Sequence, residues 1–245
     1  MKALKLGGAA ALALVLAACG GGGGNLSQAD LDKPLTQIKA PQGDWTQVIS
    51  ETPQGGFLMG NPNAPVKLIE YASLSCPYCA NFDKEGVPTL RGKYVKSGQV
   101  SWEYRTYMNH PTDPALSVLV HCQGAGPFFA LADQLYATQQ EWYDRVASAP
   151  PAQLDQLQSL PVTQRNAAIA RLAGLDEFFR QRGMPTAKFD ACLADEGNLA
   201  KVGAITELGN KDQIGGTPGF LINGKVVPDV ASWKALEPQL RAAVK

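Results

Sequence analysis

Val66-Lys67-Leu68-Ile69-Glu70-Tyr71-Ala72-Ser73-Leu74-Ser75-Cys76-Pro77-Tyr78-Cys79 is the stretch that decides the fold. Its first seven residues form a nearly continuous apolar run, as expected of a central strand covered on both faces. Glu70 interrupts that run. Two cysteines follow, two residues apart, and a helix-like stretch begins at Pro77, where a missing N–H costs nothing. A CxxC at a strand-to-helix junction is a redox signature. The helix N-terminus offers unpaired N–H groups and the positive end of the dipole. A thiolate at Cys76 is stabilised there, so Cys76 is expected to be an exposed thiol of low pKa and Cys79 the inert partner. The spacing lets Cys79 attack a mixed disulfide formed at Cys76. The other reading of the pair is half of a zinc site, which needs a second ligand pair. The chain has only His110, His121, Cys122 and Cys192 to offer, with no second close pair. No metal and no cofactor is called for.

Outward from this point the pattern is strand, helix, strand. The helix runs toward Ser97 with Gly86 and Pro88 inside it, which predicts a kink. Val100 to Arg105 alternates apolar and polar residues, and the three elements suggest a parallel βαβ unit. Before them, Trp45 to Ser50 and Phe57 to Met59 read as short strands, with Gly55-Gly56 as a turn. From Thr112 to about Asn210 the pattern is helical. The segments are Asp113 to Gln123, Pro127 to Tyr143, a break at Ala149-Pro150-Pro151, then Thr163 to Gly174, Asp176 to Gly183, Pro185 to Ala194 and Asn198 to Gly209. Gly219 to Ile222 and Lys225 to Val227 flank Asn223-Gly224, a strong hairpin signal. An amphipathic helix with Pro238 inside it closes the chain from Ser232 to Val244.

The chain has 245 residues, enough for one sizeable core with an inserted subdomain. Lys plus Arg and Asp plus Glu number 22 each, so there is no basic footprint for nucleic acid. Met1 to Lys5 is a basic n-region and Ala9 to Ala18 an apolar segment too short to span a bilayer. Leu16-Ala17-Ala18-Cys19 resembles a bacterial lipoprotein lipobox. The resemblance implies a signal peptide over 1–18, cleavage before Cys19 and lipidation of its sulfur. An ordinary secretory signal with an incidental cysteine is the alternative. Gly20, where an Asp would signal inner-membrane retention in the lipoproteins it resembles, leans toward the outer membrane. Residues 19–44 read as a flexible Gly-rich tether; about 25 residues of coil reach roughly 25–30 Å. Five cysteines less one lipidated leave Cys76, Cys79, Cys122 and Cys192. In an exported chain Cys122 and Cys192 are expected to form a structural disulfide, and two buried free thiols are the alternative.

Glu70 to Cys79, Thr217-Pro218-Gly219-Phe220 and Asn223-Gly224 together resemble the thioredoxin fold, and the helical block between its halves resembles the insertion of the DsbA family. The resemblance covers about Trp45 to Lys245. It implies an α/β thioredoxin-like domain over 45–245 with a helical insertion at about 112–210. It implies Cys76 as the attacking thiol, Cys79 as its buried partner and Pro218 as a cis-proline facing them. Thr217 would offer backbone groups to an extended substrate peptide, with Pro77 and Tyr78 also at the substrate surface. Glu70 matches the buried acid that exchanges a proton with Cys79; an acid in an apolar strand should have a raised pKa. An exposed edge residue is the plainer reading of Glu70. Tyr78 departs from the best-known DsbA pattern, which has His there, and brings no positive charge to the thiolate. Cys-Pro-Tyr-Cys also occurs in glutaredoxins, which lack a large helical insert. Dimeric isomerases carry a dimerisation domain, for which Asn25 to Asp44 is too short, so a monomer is expected. His110 and His121 read as ordinary residues.

The implied function is a periplasmic, lipid-anchored thiol–disulfide oxidoreductase that forms disulfides in exported proteins and is recycled by a membrane redox partner. A reductase or isomerase, or a peptide-binding lipoprotein with a structural disulfide, remain the competing readings.

Overall fold

The computed structural model describes residues 26–41 and 43–244. The signal segment, Cys19 and the glycine run lie outside the described residues. Among these residues no helix is long and apolar enough to cross a membrane.

The centre is a six-stranded sheet in the order β1-β2-β4-β3-β5-β6. Its strands are β1 (Ile49–Glu51), β2 (Phe57–Gly60), β3 (Val66–Ala72), β4 (Val100–Thr106), β5 (Gly219–Ile222) and β6 (Lys225–Val227). β3 and β4 are parallel, with Glu70 opposite Tyr104; every other pairing is antiparallel. The apolar run of β3 therefore occupies the middle of the sheet, where neighbours on both edges and layers on both faces exclude water. Val66, Leu68, Tyr71 and Ala72 are all buried. Glu70 is buried with them, because its position is central rather than at an edge.

Two expectations near the start of the chain need correction. Trp45–Gln47 is a 3-10 turn, capped by Asp44 Oδ1 accepting from Thr46 N at 2.9 Å, and the strand begins only at Ile49. Residues 27–41 are no free tether. A short helix, α1 (Gln28–Asp32), carries a capping box from Ser27 and Asp30. Leu31, Leu35 and Ala40 are buried. Arg241 Nε donates to Asp30 O at 3.2 Å, Gln99 Nε2 to Thr36 O at 3.0 Å and Ile38 N to Ser97 O at 2.8 Å. Lys93 Nζ also donates to Leu31 O. The strap is held by side chains and backbone remote in sequence, which no local pattern reveals.

The helix after the CxxC, α2 (Pro77–Thr89), continues into a wider π turn over Leu90–Val95. Pro88 has no N–H to give and its ring displaces the preceding carbonyl, so the disruption is a widened turn next to the proline. Gly86 lies under Trp233 of the terminal helix; an added Cβ would stand 2.8 Å from Trp233 Cβ. That close approach seats the terminal helix on α2.

The insertion runs through α3 (Asp113–Cys122), α4 (Ala125–Ala137), α5 (Gln139–Ala147), α6 (Pro151–Gln158), α7 (Val162–Leu172), α8 (Leu175–Arg180), α9 (Thr186–Ala194) and α10 (Glu196–Lys211); α11 (Trp233–Ala243) closes the chain. The segment expected as one helix over 127–143 breaks at Thr138. Pro151 opens a helix, as proline at the first helical position can. Cys122 and Cys192 are joined by a disulfide that ties α3 to α9, with Cα atoms 6.2 Å apart.

Candidate active site

The turn Ser73-Leu74-Ser75 carries the chain from the C-terminal end of β3 to the first turn of α2. Cys76 is the N-cap, with extended backbone and no side-chain cap bond. Its sulfur therefore faces the unpaired N–H groups of the first turn. Cys76 and Cys79 are free thiols. The Cys76 pKa is lowered to about 6. The Cys79 thiol is the largest cause, assisted by the Thr217 side chain and the N–H groups of Cys79 and Tyr78, against the cost of burial. The Cys79 thiol moves the other way, well above its ordinary value, because it is buried and faces Cys76 and Glu70.

The expectation of an exposed Cys76 is corrected: it is only 4% exposed and Cys79 1%. The loop of the cis Thr217–Pro218 bond covers it, and the Cys76 thiol donates to Thr217 O at 3.2 Å. Tyr78, in contrast, is 65% exposed. It lines one side of an open groove of about 700 Å³. Thr217, Pro218, Val226 and Val230 lie along the same groove.

Beneath the cysteines, Glu70 is 2% exposed and accepts one hydrogen bond, from Trp102 Nε1 at 2.9 Å. Burial raises its pKa to about 8, with the nearby Asp83 carboxyl adding to the shift and the indole opposing it. Among the described residues no group of three or more His, Cys, Asp or Glu side chains is placed to hold a metal ion. His121 packs beside Phe57, ring centroids 4.7 Å apart, and burial lowers its pKa to about 4. His110 lies in the loop before α3, away from any ligand set.

Sequence reasoning missed the residues that hold this arrangement in shape. Asp113 is buried and accepts from Ser73 Oγ at 2.9 Å and Ser75 N at 3.2 Å. It also accepts from the backbone N–H groups of Asn109 and His110, at 3.0 and 2.9 Å. Gln139 Nε2 donates to Leu74 O at 2.8 Å and Cys76 O at 3.1 Å. Asn109 Nδ2 donates to Thr217 Oγ1 at 3.0 Å. The insertion thus fastens both sides of the cysteine turn. Asp113 stands at an expected helix start, its only local signal, and Gln139 opens a helix at a break the sequence did not show.

Chemically, a group with a pKa near 6 is mostly thiolate at neutral pH and is both a nucleophile and a good leaving group. A buried neighbour whose pKa is raised, above an acid raised to about 8, suits a thiol that takes up a proton as it leaves a disulfide.

A protein-family model described as Thioredoxin matches residues 52–242. A solved protein-disulfide isomerase from Novosphingobium aromaticivorans superposes with a TM-score of 0.73 at 30% identity, covering 77% of this chain and 96% of that one. Wolbachia pipientis alpha-DsbA1 superposes with a TM-score of 0.61 at 20% identity, covering 80% and 92%. Among curated sequences, a putative protein-disulfide oxidoreductase of Rickettsia prowazekii is 23% identical over 188 residues, 76% of this chain. The chain spans about three fifths of that relative's length, 61%.

Proposed function

The chain belongs to the thioredoxin family, and on that premise we propose that it is a thiol–disulfide oxidoreductase that forms disulfides in exported proteins. Its helical insertion gives it the DsbA-type fold. The single observation that carries the proposal is the opposed pair: a Cys76 thiol lowered to about 6 against a buried Cys79 thiol raised well above its ordinary value.

The exchange starts from the Cys76–Cys79 disulfide. A substrate thiolate attacks Cys76 Sγ; a substrate–Cys76 bond forms, the Cys76–Cys79 bond breaks, and Cys79 leaves with the electron pair. Cys79 must take up a proton, and Glu70, still largely protonated at pH 7, is the donor beneath it. A second substrate thiolate attacks the bonded substrate sulfur, forms the substrate disulfide and expels Cys76 as a thiolate. Two electrons pass to the protein. A leaving thiolate with a pKa of about 6 favours this direction. Relative to a thiol at 9.0, its ionisation stabilises the reduced form at pH 7 by about 1.4 kcal/mol, or about 30 mV for two electrons.

Substrate contact falls to Thr217, Pro218, Pro77 and Tyr78, beside the open groove. Unfolded or folding exported proteins are the substrates, and a membrane redox partner accepts the electrons. Export and lipidation at Cys19 would hold the protein at a membrane facing the periplasm. The strap at residues 27–41 packs on the domain and is not part of a tether. Replacing Cys19→Ala should then release active protein from the membrane. Isomerisation is the second reading, favoured by the name of the Novosphingobium relative. Reshuffling of scrambled ribonuclease without oxidation of the reduced protein would favour isomerisation, and a glutathione titration of the Cys76–Cys79 couple tests the oxidase. An oxidase requires a potential well above that of thioredoxin; a value near about −270 mV, with no oxidation of reduced ribonuclease, rejects it.

A further inference from the structure

Glu70 sits in the middle strand with its carboxyl group out of water, and one donor meets it: Trp102 Nε1, 2.9 Å from Oε2. A phenol also stands beside it, since Tyr104 pairs with Glu70 in the parallel register of β3 and β4. Tyr104 Oη lies 2.7 Å from Tyr136 Oη, and Tyr136 donates its single proton to Ser73 O at 3.2 Å. Tyr104 is therefore the donor within the tyrosine pair, and neither phenol has a proton left for Glu70. An indole N–H can only donate. Oε2 is thus an acceptor in both charge states of Glu70, and the exchangeable proton is carried on Oε1.

The indole is itself held in place. Arg91, in the π turn, lies over its face with Cζ 5.3 Å from the ring centroid and 5.6 Å from that of Phe129, whose ring centroid is 4.8 Å from that of Trp102. Asp133 of α4 grips the guanidinium through two hydrogen bonds of 2.5 and 2.7 Å. Arg91 Nε is buried with no hydrogen-bond partner among the described residues, so the carboxylate and the two rings set the orientation of the guanidinium. A cation over the ring face draws on the indole's electrons and strengthens its N–H as a donor. We infer that Trp102 is a positioning residue for proton transfer: its fixed N–H stabilises the carboxylate that Glu70 becomes on giving up a proton, and confines that proton to Oε1.

The inference rests on the reading of Glu70 as proton donor to Cys79. The other ionisable groups around Glu70 are Cys79 and Asp83 of α2, Tyr104 of β4, Tyr136 of α4 and Arg91. Two changes remove the donor from the full-length chain. One is Trp102→Phe; the other is benzothienylalanine at position 102, which keeps the shape of the indole with sulfur in place of the N–H. Each is also made in a Glu70→Gln background. The first readout is the carboxyl band of Glu70 in infrared spectra of the reduced protein across pH, assigned by its loss in Glu70→Gln. The second is the rate at which the oxidised protein forms the Cys76 mixed disulfide.

Loss of the N–H should raise the Glu70 pKa by about one unit, from about 8 to about 9, because a hydrogen bond to the carboxylate is lost. A weaker acid gives up its proton more slowly, so mixed-disulfide formation at pH 7 should slow about threefold for a Brønsted slope of about one half. In the Glu70→Gln background the same changes should leave the rate as it was. A Glu70 band that titrates at an unchanged pH in the benzothienylalanine protein overturns the inference, and so does a slowing of equal size with and without Glu70. The proton-donor reading fails separately, on a Glu70→Gln protein that forms the mixed disulfide as fast as the parent.

Discussion

Glu70 and Asp113 are both buried beside the cysteine turn, yet their surroundings are opposite. Asp113 accepts from a hydroxyl and three backbone N–H groups. Glu70 accepts from a single indole, and its pKa is raised to about 8. Burial penalises a carboxylate unless donors replace the lost water. At Asp113 the donors are present, and the residue works as a staple joining the turn before Cys76 and the loop after β4 to the start of α3. At Glu70 they are nearly absent, and the residue works as a store for one proton. The same side-chain chemistry serves structure in one place and proton transfer in the other, and the number of donors decides which.

The largest expected effect is at the staple. Asp113→Asn replaces one accepting oxygen with an amide that cannot accept, so backbone N–H groups are left without partners. The cost should be about 4 kcal/mol, at roughly 1–3 kcal/mol for each buried orphan. Urea unfolding measures it; a change within about 0.5 kcal/mol would show that the donors find water and that Asp113 is no staple.

Glu70→Gln should act with the opposite sign. The folded pKa of about 8 lies above the ordinary 4.5, so the folded state binds more protons between those values. Stability is therefore fully present below about pH 4.5 and falls as pH rises toward 8. The glutamine cannot ionise and escapes this loss, gaining up to about 3 kcal/mol at pH 7 and nothing near pH 4. Unfolding curves at both pH values test this; a variant less stable than the parent at pH 7 breaks the comparison. The same substitution removes the proton donor under Cys79, and formation of the Cys76 mixed disulfide, the step in which Cys79 leaves, should slow about 100-fold in stopped flow.

The smallest effect is expected at the rim. Tyr78→His puts an imidazole where the phenol is turned to solvent, and as a cation it adds an opposite charge to the thiolate. The potential should become more oxidising by a few tens of millivolts, about 30 mV for each 1.4 kcal/mol. An unchanged potential in a glutathione titration would assign the tuning to Thr217 and the helix end instead.

The strand, the CxxC and the hairpin were legible because each is a local pattern: an apolar run, a fixed spacing, Asn-Gly between two strands. Glu70 stood out as an acid inside that run. Asp113 did not, since an Asp before Pro114 reads as an ordinary helix start, and its donors come from residues 73, 75, 109 and 110. Asn109 and Gln139 carry no motif; their meaning lies in contacts with Thr217 and Cys76 that only the folded chain creates. The strap was misread for the same reason. Its polar, proline-containing sequence shows no period, and its few apolar residues are buried by partners far along the chain.

The central claim is that Cys76 is a thiolate at neutral pH while Cys79 remains a thiol. Thiolate absorbance of the reduced protein across pH, combined with brief alkylation and peptide mapping at each pH, tests it directly. The account predicts a transition near pH 6 with the label on Cys76, and no labelling of Cys79 at neutral pH. A first transition near 9, or a label that appears first on Cys79, would contradict it.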